Sequence, residues 1–135
     1  VVGADQVIAL DDIIASKPGT ARAARAQLAR QAGRTHDLHT AVAVVTPDQE
    51  VFDDIVHFRM EMRPLSDEEI AAYVAEEAPL DCAGSYKIES GGIRLFRSMH
   101  GDDFTAIIGL PLTRVWSLLE EAGYFSAPRA SLYDK

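Results

Sequence analysis

Asp5 follows directly on the apolar run Val1-Val2-Gly3-Ala4, and no other charge in the chain so clearly asks for a chemical reason. Strand structure would hold it rigidly, where a buried carboxylate is costly unless a metal, a cation or water chemistry compensates. Two readings stand: a general base that takes a proton from water, or a structural aspartate that accepts hydrogen bonds from a turn. Lys17, fixed before Pro18, can give its charge to a phosphate or be an ordinary surface lysine. Further along, Gly84-Ser85-Tyr86-Lys87-Ile88-Glu89 combines flexible backbone, a hydroxyl, a ring and two opposite charges, the inventory of a base or ribose pocket. A structured loop with a Lys87/Glu89 surface pair has the same composition. His36 and His39 should point to opposite faces of a strand, and His57 and His100 have no ligand partner nearby in sequence, so the histidines read as ordinary. Cys82 has no local histidine signature and reads as a buried or structural thiol. Gly-x-Ser-x-Gly, the Gly-x-x-x-x-Gly-Lys-Ser/Thr phosphate loop and His-Glu-x-x-His are all missing, which removes the enzyme classes they mark.

The elements that must position these residues are legible in outline. Val1 to Leu10 reads as a buried strand, Asp11-Asp12 as a turn and Ile13-Ile14-Ala15 as a short return strand. Thr20 should cap a helix with the inward stripe Ala21, Ala24 and Leu28, stopped at Gly33. Leu38 to Val45 and Val51 to Met62 read as antiparallel strands. In the second, Val56, Phe58, Met60 and Met62 alternate with His57, Arg59, Glu61 and Arg63, which predicts one buried and one solvated face. Ser66 and Glu69 form a capping-box signature for a second helix with Ile70, Tyr73 and Val74 on one stripe. After a loop from Ala78 to Gly92, a strand is expected at Ile93 to Met99 and a turn at Gly101-Asp102-Asp103. Pro111 suits the first turn of a last helix whose stripe is Leu112, Val115, Trp116 and Leu119, ended by Gly123, with a loosely ordered tail after Phe125.

Composition sets the bounds. The 135 residues, 47% hydrophobic and 25% charged, fit a single domain over residues 1–135. No apolar run approaches the roughly 20 residues that cross a bilayer, so no membrane partner is expected. A net charge of −8 argues against binding polymeric nucleic acid, because phosphate-backbone affinity needs Lys and Arg. An anionic ligand must therefore be small and locally held, by a few placed cations or a divalent metal. One cysteine and no secretory pattern predict a cytoplasmic location. The chain opens without methionine on an apolar, strand-like run, and reads as truncated.

Val2-Gly3-Ala4-Asp5-Gln6-Val7, Lys17-Pro18, Gly33-Arg34, Arg63-Pro64-Leu65-Ser66, the Gly84–Glu89 segment and Gly109-Leu110-Pro111-Leu112 recur in this order in Maf proteins, and from about Val1 to Gly123 the chain resembles that family. The resemblance implies an α/β fold similar to that of inosine triphosphate pyrophosphatases, a mixed twisted sheet flanked by helices. It also implies cleavage of a nucleoside triphosphate between the α and β phosphates, to monophosphate and pyrophosphate, assisted by a divalent metal, magnesium or manganese, whose ligands are unknown. By carry-over, Asp5 looks like the proton acceptor that activates water, and Lys17 like a residue that binds phosphate or stabilises the transition state. Gln6, Lys87 and Glu89 are the expected substrate contacts. Gln6 replaces the threonine, and Glu89 the glutamine, of the family's dTTP/UTP branch, which resembles instead the branch acting on 7-methyl-GTP. Methylation at N7 makes guanine a cation, which a carboxylate at Glu89 can neutralise. The alternatives are a dTTP/UTP pyrophosphatase and a nucleotide-binding regulator of septum formation with little turnover. Maf proteins also begin with a Ser/Arg-bearing segment that this sequence does not contain, so an incomplete site, low activity, and poor solubility or homodimerisation through exposed strand edges are expected.

Overall fold

Asp11 and Asp12 both adopt positive φ, 50° and 63°, the conformation a tight two-residue hairpin requires. The turn folds strand β1 (Val2–Leu10) back on β2 (Ile13–Ala15), with Leu10 opposite Ile13. The structure is a computed structural model and describes residues 1–125; the tail expected to be loosely ordered lies outside them. On its other edge β1 pairs with β3 (Thr35–Val45), β3 with β4 (Val51–Met62) and β4 with β5 (Phe96–His100), giving the sheet order β2-β1-β3-β4-β5. The α/β architecture is as expected, and every strand pair among the described residues is antiparallel. Since β2 reaches only Ile8 to Leu10, residues 2–7 of β1 have one strand neighbour among the described residues.

One face of the sheet is covered. Helix α1 (Ala21–Gln31) starts at Thr20, whose Oγ1 accepts from Ala23 N. Helix α2 (Asp67–Glu77) starts at the predicted capping box, with Ser66 and Glu69 each bonding the other's backbone, a device worth about 1 kcal/mol. Ile8, Leu38, Phe58, Met60 and Met62 meet Ala24 and Leu28 of α1 and Ile70, Tyr73 and Val74 of α2 in one core. Each fully buried Leu or Met there contributes roughly 2 kcal/mol by leaving water. The predicted alternation along β4 holds, with His57 and Arg59 on the opposite, exposed face.

β1, read as a buried strand, buries only Ile8, and three further elements differ from expectation. Ile93 is not in a strand: Gly92–Leu95 forms a single helical turn, because the amides of Ser90, Gly91 and Gly92 all donate to the carbonyl of Lys87 and curl the chain before β5 begins. A short helix α3 (Thr105–Ile108) follows the turn at Gly101–Asp103. In helix α4 (Leu112–Glu121) the buried residue is Leu118, flanked by Val115, Leu119 and Ala122 against Val42, Val44 and Phe52. Leu112 and Trp116 are about half exposed, at 53% and 49%. The Trp116 indole donates to Glu120 and its ring stacks on Phe125, so it lies at the rim of the packed stripe.

Candidate active site

The loop between α2 and β5 is held from beneath by polar side chains of the core. Gln27 and Gln31, one turn apart on α1, are both buried. Gln31 Nε2 donates to the Gly84 carbonyl at 2.8 Å, and Gln27 Oε1 accepts from Ser85 Oγ. The Tyr73 hydroxyl accepts from Lys87 N at 3.0 Å, and the His36 ring pairs through Nε2 with the Tyr86 hydroxyl at 2.8 Å. Gly84 turns at φ 77°, and a Cβ there would stand 2.7 Å from Ile8 Cδ1, so only glycine fits without displacing the wall. Sequence reading assigned α1 the stripe Ala21, Ala24 and Leu28; Ala21 is exposed, and the two glutamines take the stripe with Ala24 and Leu28. Their i, i+4 spacing on the face of Ala24 and Leu28 was the available signal.

Above this support lies a cavity of about 190 Å³ lined by Gln6, Ile8, Cys82, Tyr86, Lys87 and Glu89, closed on one side by Ile107 and Ile108 of α3. Three of the predicted residues, Gln6, Lys87 and Glu89, thus share one wall system. A larger hollow of about 650 Å³, between Val44–Glu50 and the end of α4, contains none of the predicted site residues. Gln6 is fixed by its amide: Nε2 donates to Thr40 Oγ1 at 3.0 Å and to the Ala106 carbonyl at 2.6 Å. A carbonyl can only accept, so the amide nitrogen must face Ala106, and Oε1, an acceptor, is what Gln6 has left to offer a ligand. Lys87 Nζ lies 4.0 Å from Asp81 Oδ1, so its ionic neighbour is Asp81 and not the Glu89 of the expected surface pair.

Asp5 and Lys17 are not in the cavity lining. Asp5 is exposed, which corrects the expectation of a desolvated carboxylate, and its Oδ1 accepts from Gln6 N at 2.9 Å. Neighbours along a strand leave opposite faces, so Asp5 and Gln6 start from the two sides of β1. Lys17 is exposed in the loop between β2 and α1, where Gly19 N donates to the Leu80 carbonyl at 2.8 Å and ties that loop to the one between α2 and β5.

Electrostatics follow burial. His36 is buried, which drives its pKa down to about 4 against the raising influence of Asp37. Burial pushes the Tyr86 and Tyr73 hydroxyls up, so both stay protonated as hydrogen-bonding groups. Burial, with Asp81 beside it, also raises the thiol of Cys82, which is partly buried in the cavity wall. Behind α3, burial alone would raise the Asp103 carboxyl, but the amides and hydroxyls of Thr105 and Thr113 all donate to it and hold it at about 2. Asp103 thereby fastens α3 to the start of α4. The histidines were only partly legible: His36 and His39 do face opposite sides, but register places His57 directly across from His39, with the two Nδ1 atoms 2.7 Å apart. Among the described residues no three His, Cys, Asp or Glu side chains are grouped to hold a metal ion.

The profile of one family, described as Maf-like protein, matches residues 1–122. The chain belongs to this family. Among Maf-like relatives, a 7-methyl-GTP pyrophosphatase of Aromatoleum aromaticum is 50% identical over 124 residues, which is 91% of this chain and 64% of the relative. One of the same name from Xanthomonas campestris is 45% identical over 128 residues, 95% of this chain and 66% of the relative. A third, from Bdellovibrio bacteriovorus, is 43% identical over 123 residues, 90% and 64% respectively. The chain therefore spans about two thirds of the length of these Maf-like relatives, between 64% and 66%. No helix among the described residues is long and apolar enough to cross a membrane.

Proposed function

We propose that this Maf-like chain carries the base-binding part of a nucleoside triphosphate pyrophosphatase that converts 7-methyl-GTP to 7-methyl-GMP and pyrophosphate. The observation that carries the reading is the cavity shared by Gln6, Lys87 and Glu89. With its amide nitrogen spent on Thr40 and Ala106, Gln6 offers an acceptor, and Glu89 offers a carboxylate. Guanine presents two adjacent donors, N1–H and the 2-amino group, whereas uracil and thymine present a single N–H between two carbonyls. A wall of two acceptors suits the purine, and the negative charge of Glu89 favours the base that N7 methylation has made cationic. The names of the relatives support the same substrate.

In this reading Asp5 takes the proton of the attacking water and Lys17 holds phosphate oxygens while the bond from the α phosphorus to the bridging oxygen breaks and pyrophosphate departs. The described residues do not make a protein-only metal site. Magnesium or manganese is proposed to arrive with the triphosphate, as divalent ions bound largely through substrate phosphates do, and no step is assigned to it. A cytoplasmic location, the absence of a polymeric nucleic-acid partner, and a homodimer formed through the single-sided stretch of β1 belong to the same proposal.

The test joins the chain to the N-terminal segment that Maf proteins carry and measures pyrophosphate release with magnesium or manganese across 7-methyl-GTP, GTP, UTP, dTTP and CTP. The reading predicts preference for 7-methyl-GTP, abolished in Asp5→Asn and turned toward uncharged bases in Glu89→Gln. Preference for UTP and dTTP would overturn the assignment of Gln6 and Glu89; no release from any nucleotide would overturn the enzymatic reading.

A further inference from the structure

Gln27 does not line the nucleotide cavity, yet both ends of its amide are committed to loops that carry proposed site residues. Nε2 donates at 3.0 Å to the carbonyl of Ser16, the residue before Lys17, and Oε1 accepts from the hydroxyl of Ser85, two residues before Lys87. The orientation is not arbitrary, since the Ser16 carbonyl can only accept. Packing does not explain the residue: on a face shared with Ala24 and Leu28, a methionine would fill the same space without needing two partners. Ser85 is fully buried and sits at φ 64°, a left-handed conformation costly for a residue with a side chain and held only where its surroundings impose it. Its hydroxyl bond to Gln27 is such an imposition. A second tie, Gly19 N to the Leu80 carbonyl, joins the same two loops, beyond Lys17 in the first and ahead of Ser85 in the second.

We infer that Gln27 is a positioning residue that fixes the Lys17 segment and the Ser85–Glu89 segment to each other, so that the phosphate-binding and base-binding arms of the site form one rigid unit. This rests on the proposed roles of Lys17, Lys87 and Glu89. The coupling works because one short planar amide bridges two backbone segments far apart in sequence; no backbone hydrogen bond of α1 is needed for it. Loss of the bridge loosens both arms at once, whereas loss of the Ser85 hydroxyl loosens only the base arm.

The test compares Gln27→Met, Gln27→Glu and Ser85→Ala with the unsubstituted protein, first by hydrogen exchange without nucleotide. Gln27→Met is expected to speed exchange in peptides covering residues 16–20 and 84–89 together, with α2 and β4 unchanged and the circular dichroism retained. Ser85→Ala should affect the second peptide alone. In pyrophosphate release, Gln27→Met should lower kcat/KM by roughly thirtyfold, the scale of the two hydrogen bonds it removes, acting on both kcat and KM. Ser85→Ala should act mainly on KM. Gln27→Glu provides the rescue: its neutral carboxyl can donate to Ser16 and accept from Ser85 as the amide does, so activity relative to the unsubstituted protein should recover as pH falls. A loss of activity in Gln27→Glu that is the same at every pH, or exchange in Gln27→Met that is unchanged or raised uniformly, overturns the inference. Normal exchange coupling with no turnover of any nucleotide by the unsubstituted protein would instead overturn the enzymatic reading and leave the bridge established as structural.

Discussion

His36 gives a pH dependence that can be worked from the structure. The residue is 1% exposed, its Nε2 pairs with the Tyr86 hydroxyl, and its Nδ1 has no hydrogen-bond partner among the described residues. Protonation would place a second N–H, and a charge, in that buried site, and burial accordingly lowers the pKa from 6.5 to about 4. The unfolded chain takes up the proton near pH 6.5 while the folded chain resists it until about pH 4. The stability that His36 contributes by staying neutral is therefore complete above pH 6.5 and is lost as pH falls to about 4. At 1.36 kcal/mol per pKa unit the loss amounts to about 3 kcal/mol, a large part of the 5–15 kcal/mol typical of a domain. Urea unfolding of the protein and of His36→Gln, followed by circular dichroism between pH 7.5 and 4, isolates this contribution. The variant should be less stable at pH 7.5, and the gap should close by about 3 kcal/mol by pH 4. A gap that stays constant across the range would refute the reasoning, because it would mean that His36 takes up its proton equally in the folded and unfolded chains.

A Cβ at Gly92 would stand 2.5 Å from the Lys87 carbonyl oxygen, a backbone atom that cannot swing aside. Gly92→Ala should therefore cost about 1–3 kcal/mol in thermal or urea unfolding and weaken nucleotide binding by displacing Lys87. Asp103→Asn puts an amide where two threonines donate to a carboxylate; a loss of about 3 kcal/mol is expected, with loosening of α3 visible by hydrogen exchange. In the unsubstituted protein the Asp103 carboxyl is depressed to about 2, so its contribution is whole above pH 3.8 and is lost as pH falls toward 2, a decline that Asp103→Asn should lack. Thr40→Val should leave the fold intact but release one hydrogen of the Gln6 amide, measured as a loss of discrimination between purine and pyrimidine triphosphates rather than a loss of stability.

Local signals carried most of the fold. Thr20, the Ser66/Glu69 box and the strict alternation of β4 are short-range patterns, and each produced the element it announced. What sequence did not reveal depends on long-range register or on a choice between adjacent faces. Nothing within α4 distinguishes the stripe through Trp116 from the stripe through Leu118; the choice is made by Val42 and Val44, about seventy residues earlier. His57 acquires His39 as a neighbour only through the pairing of β3 with β4. The site divides the same way. Gly84 to Glu89 stood out because turn, hydroxyl, ring and charges are contiguous, and the cavity indeed draws Lys87 and Glu89 from it. Gln27, Gln31 and His36, which hold that segment, look in sequence like polar interruptions of apolar stripes, and only the folded chain supplies their partners. Asp5 was singled out by its apolar neighbours, but among the described residues β1 has no second strand partner at that point and the carboxylate is exposed.

The central claim, that the cavity of Gln6, Lys87 and Glu89 accepts a cationic guanine, is tested most directly by calorimetric binding of 7-methyl-GMP and GMP to the protein and to Glu89→Gln. The account predicts tighter binding of the methylated nucleotide by the unsubstituted protein and a preference largely erased in Glu89→Gln. Equal affinity for the two nucleotides, or a preference that survives the substitution, would contradict it.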